Sequence, residues 1–322
     1  MIECPSCSST IDEKGYLRTY FSDASKVEYK LYHCSNCDLE FWTPLEFIRS
    51  IYEEEAISDY KGAHQAETIE LTANHRYFVS YYLKNLKKSY PSGTLLDVGC
   101  GNGSFIKYIE KQGFDVYGID IDSKSVEVAK NKFGLKNVYS MSLDEFSEKF
   151  GGNLKFDMIT CFEVLEHQTD IKSFISKVSL LLKDDGIFAG TVPNRNRAFA
   201  DLTRYHSKAD KNLDFPPHHF FWFSDKSLSW FFENNGFVCS VKETKVPYDI
   251  FADRISNLIY VITKIKLFDS DILKKNSESN RFNSYIAKMI RFLLVYPIAF
   301  FVKHIYEAMG GFGLFFYCKK KM

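Results

Sequence analysis

The chain has 322 residues, 45% of them hydrophobic, and its 41 lysines and arginines balance 41 aspartates and glutamates for a formal net charge of +0. That supplies material for a core larger than one average domain, and it excludes the broad basic footprint that a long nucleic acid requires. Aromatic residues make up 16%, with 30 Phe and 20 Tyr, which a Phe-rich core absorbs without a stacking platform; no internal repeat or low-complexity tract is present.

Met1-Ile2-Glu3-Cys4-Pro5 shows no signal-peptide pattern, so a cytoplasmic location is expected. Cys4, Cys7, Cys34 and Cys37 form a CxxC…CxxC set. Two such knuckles suit one tetrahedral Zn²⁺ in a closed, structural site, whereas a disulfide would need an oxidising compartment. Tyr16 to Tyr20 and Val27 to Tyr32 alternate like the strands of a hairpin, so residues 1–45 read as a zinc ribbon. Cys100, Cys161, Cys239 and Cys318 stand singly in apolar strands and read as small buried residues. Residues 46–90, with Tyr52, Tyr60, Tyr77, Phe78, Tyr81, Tyr82 and Leu86, read as linking helices and a lid, and Pro91-Ser92-Gly93 opens a core over 91–246.

Leu95-Leu96-Asp97-Val98-Gly99-Cys100-Gly101-Asn102-Gly103 is an apolar run ending in three glycines at every second position, the pattern of a buried strand handing over to a helix beside a ligand. About twenty residues later, Val116-Tyr117-Gly118-Ile119-Asp120 reads as a second strand whose terminal carboxylate can accept hydrogen bonds from two ribose hydroxyls. A dinucleotide loop would place glycine at 104, where Ser104 stands, so no pyrophosphate site is spelled. Lys155 to Phe162 and Ile187 to Asn194 continue the strands. Between them Ile171, Phe174, Ile175, Val178, Leu181 and Leu182 recur at helical spacing. Strand and helix alternate over roughly 94–244, which predicts an α/β fold with helices on both faces of a mainly parallel sheet.

The DxGxGxG turn followed by an acidic strand end resembles the class I S-adenosylmethionine (SAM) dependent methyltransferases, and Phe162-Glu163-Val164-Leu165-Glu166-His167 resembles the EVLEH segment of their quinone- and sugar-modifying members. The resemblance implies a Rossmann-like sheet of seven strands. It also implies that Asp97, Gly99, Cys100, Gly101, Gly103, Ile121, Cys161 and Phe162 bind the cofactor, that Asp120 takes the ribose hydroxyls, and that Asp144 meets the adenine amino group. A ribbon fused before such a core is similar to bacterial enzymes that methylate sugars or related metabolites, with the ribbon and following helices over the acceptor pocket.

Pro216-Pro217-His218-His219-Phe220-Phe221-Trp222-Phe223-Ser224 follows the fifth strand at the crevice and precedes a helix capped by Ser224. Removing a proton from a hydroxyl acceptor needs a base of near-neutral pKa, which nominates His219 first and His218 second. A competing pattern is the ExxEH of Glu163, Glu166 and His167, whose helical spacing would set two carboxylates and an imidazole on one face for Mg²⁺ or Mn²⁺. With a loop histidine added, this resembles small-RNA terminal 2′-O-methyltransferases.

Residues 247–308 read as a helical insertion before a final core strand in 309–322. Phe292 to Val302 is too short to span a bilayer, and its basic flanks, Lys288, Arg291, Lys303 and His304, leave two readings for 286–306: a cap over the acceptor pocket or a helix lying on a membrane surface. The expectation is a SAM-dependent methyltransferase acting on a sugar or a glycan or lipid-linked precursor. The alternatives are a metal-dependent RNA terminal 2′-O-methyltransferase, a quinone-precursor O-methyltransferase, and a non-catalytic SAM-binding or zinc-dependent interaction module.

Overall fold

The computed structural model describes residues 2–46, 48, 68–197, 214–244 and 313–321. Most of the expected lid segment before 68 and the whole 247–308 insertion, with its 286–306 stretch, lie outside the described residues. The chain divides into two compact units. Met1–Arg195, Phe199–Glu243 and Gly313–Met322 form one, and Asn196–Ala198 with Thr244–Phe312 form the other. All that follows concerns the first.

Its N-terminal part holds a two-stranded ladder, β1 (Ile2–Glu3) with β2 (Thr10–Ile11), and a hairpin of β3 (Tyr16–Ser22) and β4 (Val27–His33) continued by β5 (Glu40–Thr43). The expected hairpin is present. The two knuckles repeat one local design: Ser8 N–H donates to Cys4 O and Asp38 N–H donates to Cys34 O, both at 2.8–2.9 Å, and Ser8 and Asp38 each adopt a left-handed backbone (φ 59° and 63°). That conformation turns the chain tightly enough to aim both sulfurs of a CxxC inward.

A connecting helix, α1 (Ala73–Tyr81), then leads into a seven-stranded sheet. Its strands in chain order are β6 (Gly93–Val98), β7 (Phe114–Asp120), β8 (Val138–Ser140), β9 (Phe156–Phe162), β10 (Leu182–Pro193), β12 (Phe237–Thr244) and β13 (Gly313–Lys320). They lie side by side as β12-β13-β10-β9-β6-β7-β8, parallel from β10 to β8, with β13 antiparallel to β10. Helices α2 (Ser104–Glu110), α3 (Ser123–Asn131), α4 (Leu143–Phe150), α5 (Ile171–Leu181) and α6 (Asp225–Asn234) complete the α/β alternation. Asp122, Ser142, Asp170 and Ser224 accept backbone hydrogen bonds as the N-caps of α3, α4, α5 and α6, so each helix starts where its polar cap stands. This is the Rossmann-like arrangement that the alternation implied. No helix among the described residues is long and apolar enough to cross a membrane.

Three expectations need correction. First, the N-terminal sheet is not built from residues 1–45 alone: a short strand, β11 (Phe221–Trp222), leaves the histidine loop and pairs with β5, making that sheet four-stranded. One apolar cluster runs from Leu31, Phe41 and Trp42 through Phe215, Phe220 and Phe223 to Leu96, Ile159 and Phe188 on one face of the large sheet. Trp42 meets Trp222 edge-on at 5.4 Å between ring centroids. Burial of this kind contributes about 1.5–3 kcal/mol per large side chain, enough to bind the ribbon to the core without a linker between them.

Second, Cys239 and Cys318 are not independent apolar fillers; they are joined as a disulfide across neighbouring strands β12 and β13 with Cα atoms 4.1 Å apart. Cys100 and Cys161 are free and buried, as expected. Third, the ExxEH segment is not an α-helix. Glu163 adopts φ 56°, and Leu165–His167 form a single 3₁₀ turn, so Glu163 and Glu166 do not share a helical face.

Candidate active site

The parallel strands end on one side of the sheet, and there a cavity of about 550 Å³ opens between the tips of β6, β7 and β9. Its floor is the glycine turn. Gly99 has φ 77°, and a Cβ there would meet Val164 Cγ2 at 2.5 Å, so only glycine lets the turn lie under the β9 loop. Gly99 and Cys100 N–H both donate to Ile119 O (2.8 and 3.0 Å), tying the turn to β7. Gly101 N–H donates to Asp120 Oδ2 at 2.7 Å and Asp122 N–H to Asp120 Oδ1 at 2.9 Å. The Asp120 carboxylate is thereby held rigid, with lone pairs left over for ligand hydroxyls. Burial raises its pKa above the ordinary carboxylate value, and the two backbone donors oppose that rise.

Of the residues nominated from the sequence, Gly99, Gly101, Asp120, Ile121, Asp144 and Phe162 line this cavity. Asp97, Cys100, Gly103 and Cys161 do not. Asp97 alternates with Val98 along β6: Val98 faces the cavity, while Asp97 is buried and accepts Thr160 Oγ1–H at 2.6 Å. Burial pushes the Asp97 carboxyl up to about 8. Cys161 alternates in the same way with Phe162. Cys100 Sγ packs against Gly118, and Gly103 abuts Leu135 and Ala129, so both serve the turn's packing. Asp144 stands at the mouth, paired with Lys177 at 2.8 Å.

Sequence reasoning missed Asp122, Met141, Ser142, Leu143 and Gln168, all of which line the cavity. A signal existed for one group: Ser142-Leu143-Asp144-Glu145 spells a capping box, which places the tip of β8 and the start of α4 beside the ligand. The described lining carries four carboxylates, Asp120, Asp122, Asp144 and Glu163, and neither lysine nor arginine. Such a wall favours a cationic ligand and disfavours one bearing phosphates.

Beside the cavity lies a buried cluster. Glu166, His167 and His219 bring ligand-type atoms within 4.8 Å of one another. The two imidazoles meet edge-on at 4.6 Å between centroids. His167 Nδ1–H donates to the His218 carbonyl at 2.7 Å, which fixes its tautomer and leaves Nε2 as the lone-pair nitrogen. His219 Nδ1 stands 3.5 Å from Asp214 Oδ1, and its Nε2 stands 3.9 Å from Glu166 Oε1. Glu166 is fully buried, and neither carboxylate oxygen has a hydrogen-bond partner. Burial therefore raises its pKa well above the ordinary value, and it lowers those of His167 and, to about 4, His218. Of the three loop and ExxEH imidazoles, only that of His167 reaches the cavity lining. His218 contributes its carbonyl. Glu163 belongs to the cavity rather than to the cluster.

In the ribbon, Cys4, Cys7, Cys34 and Cys37 likewise converge within 4.8 Å, with Cys4 and Cys37 sulfurs 3.6 Å apart and those of Cys7 and Cys34 3.5 Å. Four sulfurs about 2.3 Å from a tetrahedral Zn²⁺ would stand roughly 3.8 Å from each other, so the set fits that ion. The Cys4–Cys37 contact lowers the Cys37 thiol pKa and raises that of Cys4, as for two sulfurs sharing one proton.

The model of a methyltransferase domain family matches residues 71–240. The chain is similar to ubiquinone biosynthesis O-methyltransferases from Paramagnetospirillum magneticum (31% identical over 141 residues, 42% of this chain and 55% of the relative) and Pasteurella multocida (33% over 154 residues, 44% and 60%). One from Pelagibacter ubique is 40% identical over 108 residues, 33% of this chain and 41% of the relative. The chain thus spans about half the length of the curated relatives it matches. Among solved structures, the plantazolicin methyltransferase BpumL in complex with SAH superposes with a TM-score of 0.47 at 17% identity, covering 77% of this chain and 83% of that one. With the domain model matched over more than half of its 322 residues, onto the very turn and strand tips that build the cavity, the chain belongs to the class I SAM-dependent methyltransferases.

Proposed function

We propose that the protein transfers a methyl group from SAM to a hydroxyl of a small molecule, with a sugar or a glycan or lipid-linked precursor as the acceptor class. One observation supports this most: the carboxylate of Asp120, braced by Gly101 and Asp122 at the tip of β7, lines a cavity whose described wall carries four carboxylates and neither lysine nor arginine. That wall suits a nucleoside carrying a sulfonium and no phosphate. The residues present fit SAM, which supplies an electrophilic methyl group. Asp120 would hold the ribose hydroxyls, the Gly99–Gly101 turn would pass beneath the methionine part, and Met141 to Asp144 would border the base. The names of the similar relatives, all O-methyltransferases of quinone biosynthesis, support a hydroxyl acceptor and keep a quinone precursor as the neighbouring alternative.

On the acceptor side, the chain's own groups supply orientation and proton removal, which suffice for an in-line displacement. His167 borders the cavity with its tautomer set by the His218 carbonyl. His219 stands behind it, between Glu166 and Asp214, and holds the His167 ring edge-on. The test is transfer of labelled methyl from SAM to candidate hydroxyl acceptors by wild-type protein and by Asp120→Ala. Absence of SAM binding by the wild type would overturn the reading.

A second reading is favoured by the orphaned oxygens of Glu166. A fully buried carboxylate beside two imidazoles is either protonated or bound to a cation, and one carboxylate with two histidines fits a divalent ion such as Mn²⁺. Such an ion would be held by Glu166, His167 and His219 and would lower the pKa of an acceptor hydroxyl. Glu163 drops out of the ligand set. The ribbon would carry one structural Zn²⁺ on Cys4, Cys7, Cys34 and Cys37.

A further inference from the structure

Three of the cavity's four carboxylates have structural employment: Asp120 braces the glycine turn, Asp122 caps α3, and Asp144 pairs with Lys177. Glu163 is placed differently. It is one of four non-glycine residues with positive φ among the described residues, and the other three, Ser8, Lys26 and Asp38, sit in turns of the ribbon. A left-handed backbone on a long side chain is strained and persists only where surrounding contacts impose it. Here they do: Glu163 N–H donates to Thr191 O at 2.9 Å, and the next residue, Val164, packs against Gly99. The elbow thus carries Glu163 onto the cavity wall beside the Gly99–Gly101 turn, beneath which the reading above sets the methionine part of SAM. Asn74 Nδ2, from the first turn of α1, donates to Glu163 Oε1 at 3.2 Å. A neutral amide orients a carboxylate without cancelling its charge.

We propose that Glu163, aimed by its left-handed elbow and by Asn74, is the counter-charge of the donor's sulfonium, so that the cavity holds the charged donor and releases its neutral thioether product. The proposal rests on the SAM reading above. Methyl transfer takes the electron pair of the breaking C–S bond onto sulfur and abolishes the cation, so an anion beside that sulfur separates substrate from product by charge alone. Beside a described lining that holds neither lysine nor arginine, one unit of charge is a large difference. The cost is that ground-state attraction to the sulfonium is lost as transfer proceeds.

The experiment is calorimetric titration of wild type, Glu163→Gln and Asn74→Ala with SAM and, separately, with S-adenosylhomocysteine, whose sulfur is uncharged. Circular dichroism serves as the check that each variant is folded. Glu163→Gln should raise the Kd for SAM about tenfold or more and change that for S-adenosylhomocysteine by less than about twofold. Asn74→Ala should show the same selectivity to a smaller extent, and it keeps the test open should the elbow variant misfold. Equal weakening of both ligands by folded variants would assign the carboxylate to the α-ammonium that the two share and overturn the proposal, as would unchanged affinity for SAM. Wild-type protein that binds neither ligand would instead sink the SAM reading itself.

Discussion

The four cysteines of the ribbon and the Glu166–His167–His219 group of the core both gather metal-type ligands within 4.8 Å, yet they are assembled by opposite means. Each pair of ribbon sulfurs is set by a hydrogen-bonded turn five residues long, Cys4 to Ser8 and Cys34 to Asp38, and one antiparallel hairpin brings the turns together. The core group depends on a loop 51 residues further along the chain delivering the His218 carbonyl to His167. Local geometry makes the first a closed set of sulfurs whose spacing fits Zn²⁺. Long-range packing makes the second, and burial leaves Glu166 with a charge problem that either a proton or a cation must solve. The second knuckle is tied to the core through Asp38, whose carboxylate receives hydrogen bonds from His33 (3.1 Å), Arg195 Nη2 (2.8 Å) and Ser224 Oγ (2.5 Å). Arg195 follows β10 and Ser224 caps α6, so the second knuckle is clamped to the segment that ends the histidine loop.

The largest effect should come from the ribbon metal. Purified protein should contain about one zinc per chain, and Cys34→Ser or removal of the ion should forfeit on the order of 10 kcal/mol of binding free energy that doubles as folding free energy. Because β11 and the Trp42–Trp222 contact carry the ribbon into the core, the loss should spread to residues 214–224. Hydrogen exchange there that stayed at the wild-type level would break the linkage and restore two independent bodies.

Next in size is the core group. His167→Ala should lower turnover about 10²–10⁴-fold through lost proton removal, and His219→Ala by less, because its ring stands behind that of His167. Treatment with EDTA that spares the ribbon zinc should leave the wild type active; abolition of turnover with rescue by Mg²⁺ or Mn²⁺ would decide for the cation on Glu166. Smaller again is the donor contact: Asp120→Ala should weaken SAM binding by about 1.5–3 kcal/mol, as for other hydrogen bonds to a charged group, measured by calorimetry. An unchanged affinity would remove Asp120 from the site.

The smallest effect concerns the clamp. Burial alone would raise the Asp38 pKa, but the Ser224 hydroxyl, His33 and Arg195 outweigh it and hold the carboxyl below its ordinary value. A depressed carboxylate contributes stability above its unfolded pKa, near 3.9, and loses it as pH falls through the lower folded value. Asp38→Asn should therefore cost about 1 kcal/mol at neutral pH and flatten the acid limb of the stability curve below about pH 4, read by denaturant titration. A variant with the wild-type acid limb would show that the knuckle and the α6 cap are not coupled.

What the sequence determined by itself is whatever short-range chemistry dictates. The glycine spacing, the apolar strand runs, the Ser224 cap and the CxxC turns each depend on neighbours a few residues away, and all stand where the pattern put them. The face each strand residue presents was legible in principle from the pleat, which turns Asp97 and Cys161 away from the cavity. A motif carried over as a block conceals that alternation. Only the tertiary structure decided the rest. The ExxEH carboxylates part company because Thr191 and Gly99, remote in sequence, hold Glu163 in a left-handed elbow. Cys239 and Cys318 meet because β13 inserts between β10 and β12. The ribbon merges with the core because Phe221 and Trp222 complete its sheet. Each of these contacts joins residues far apart along the chain, where side-chain period and turn chemistry carry no information and burial of apolar surface chooses the partner.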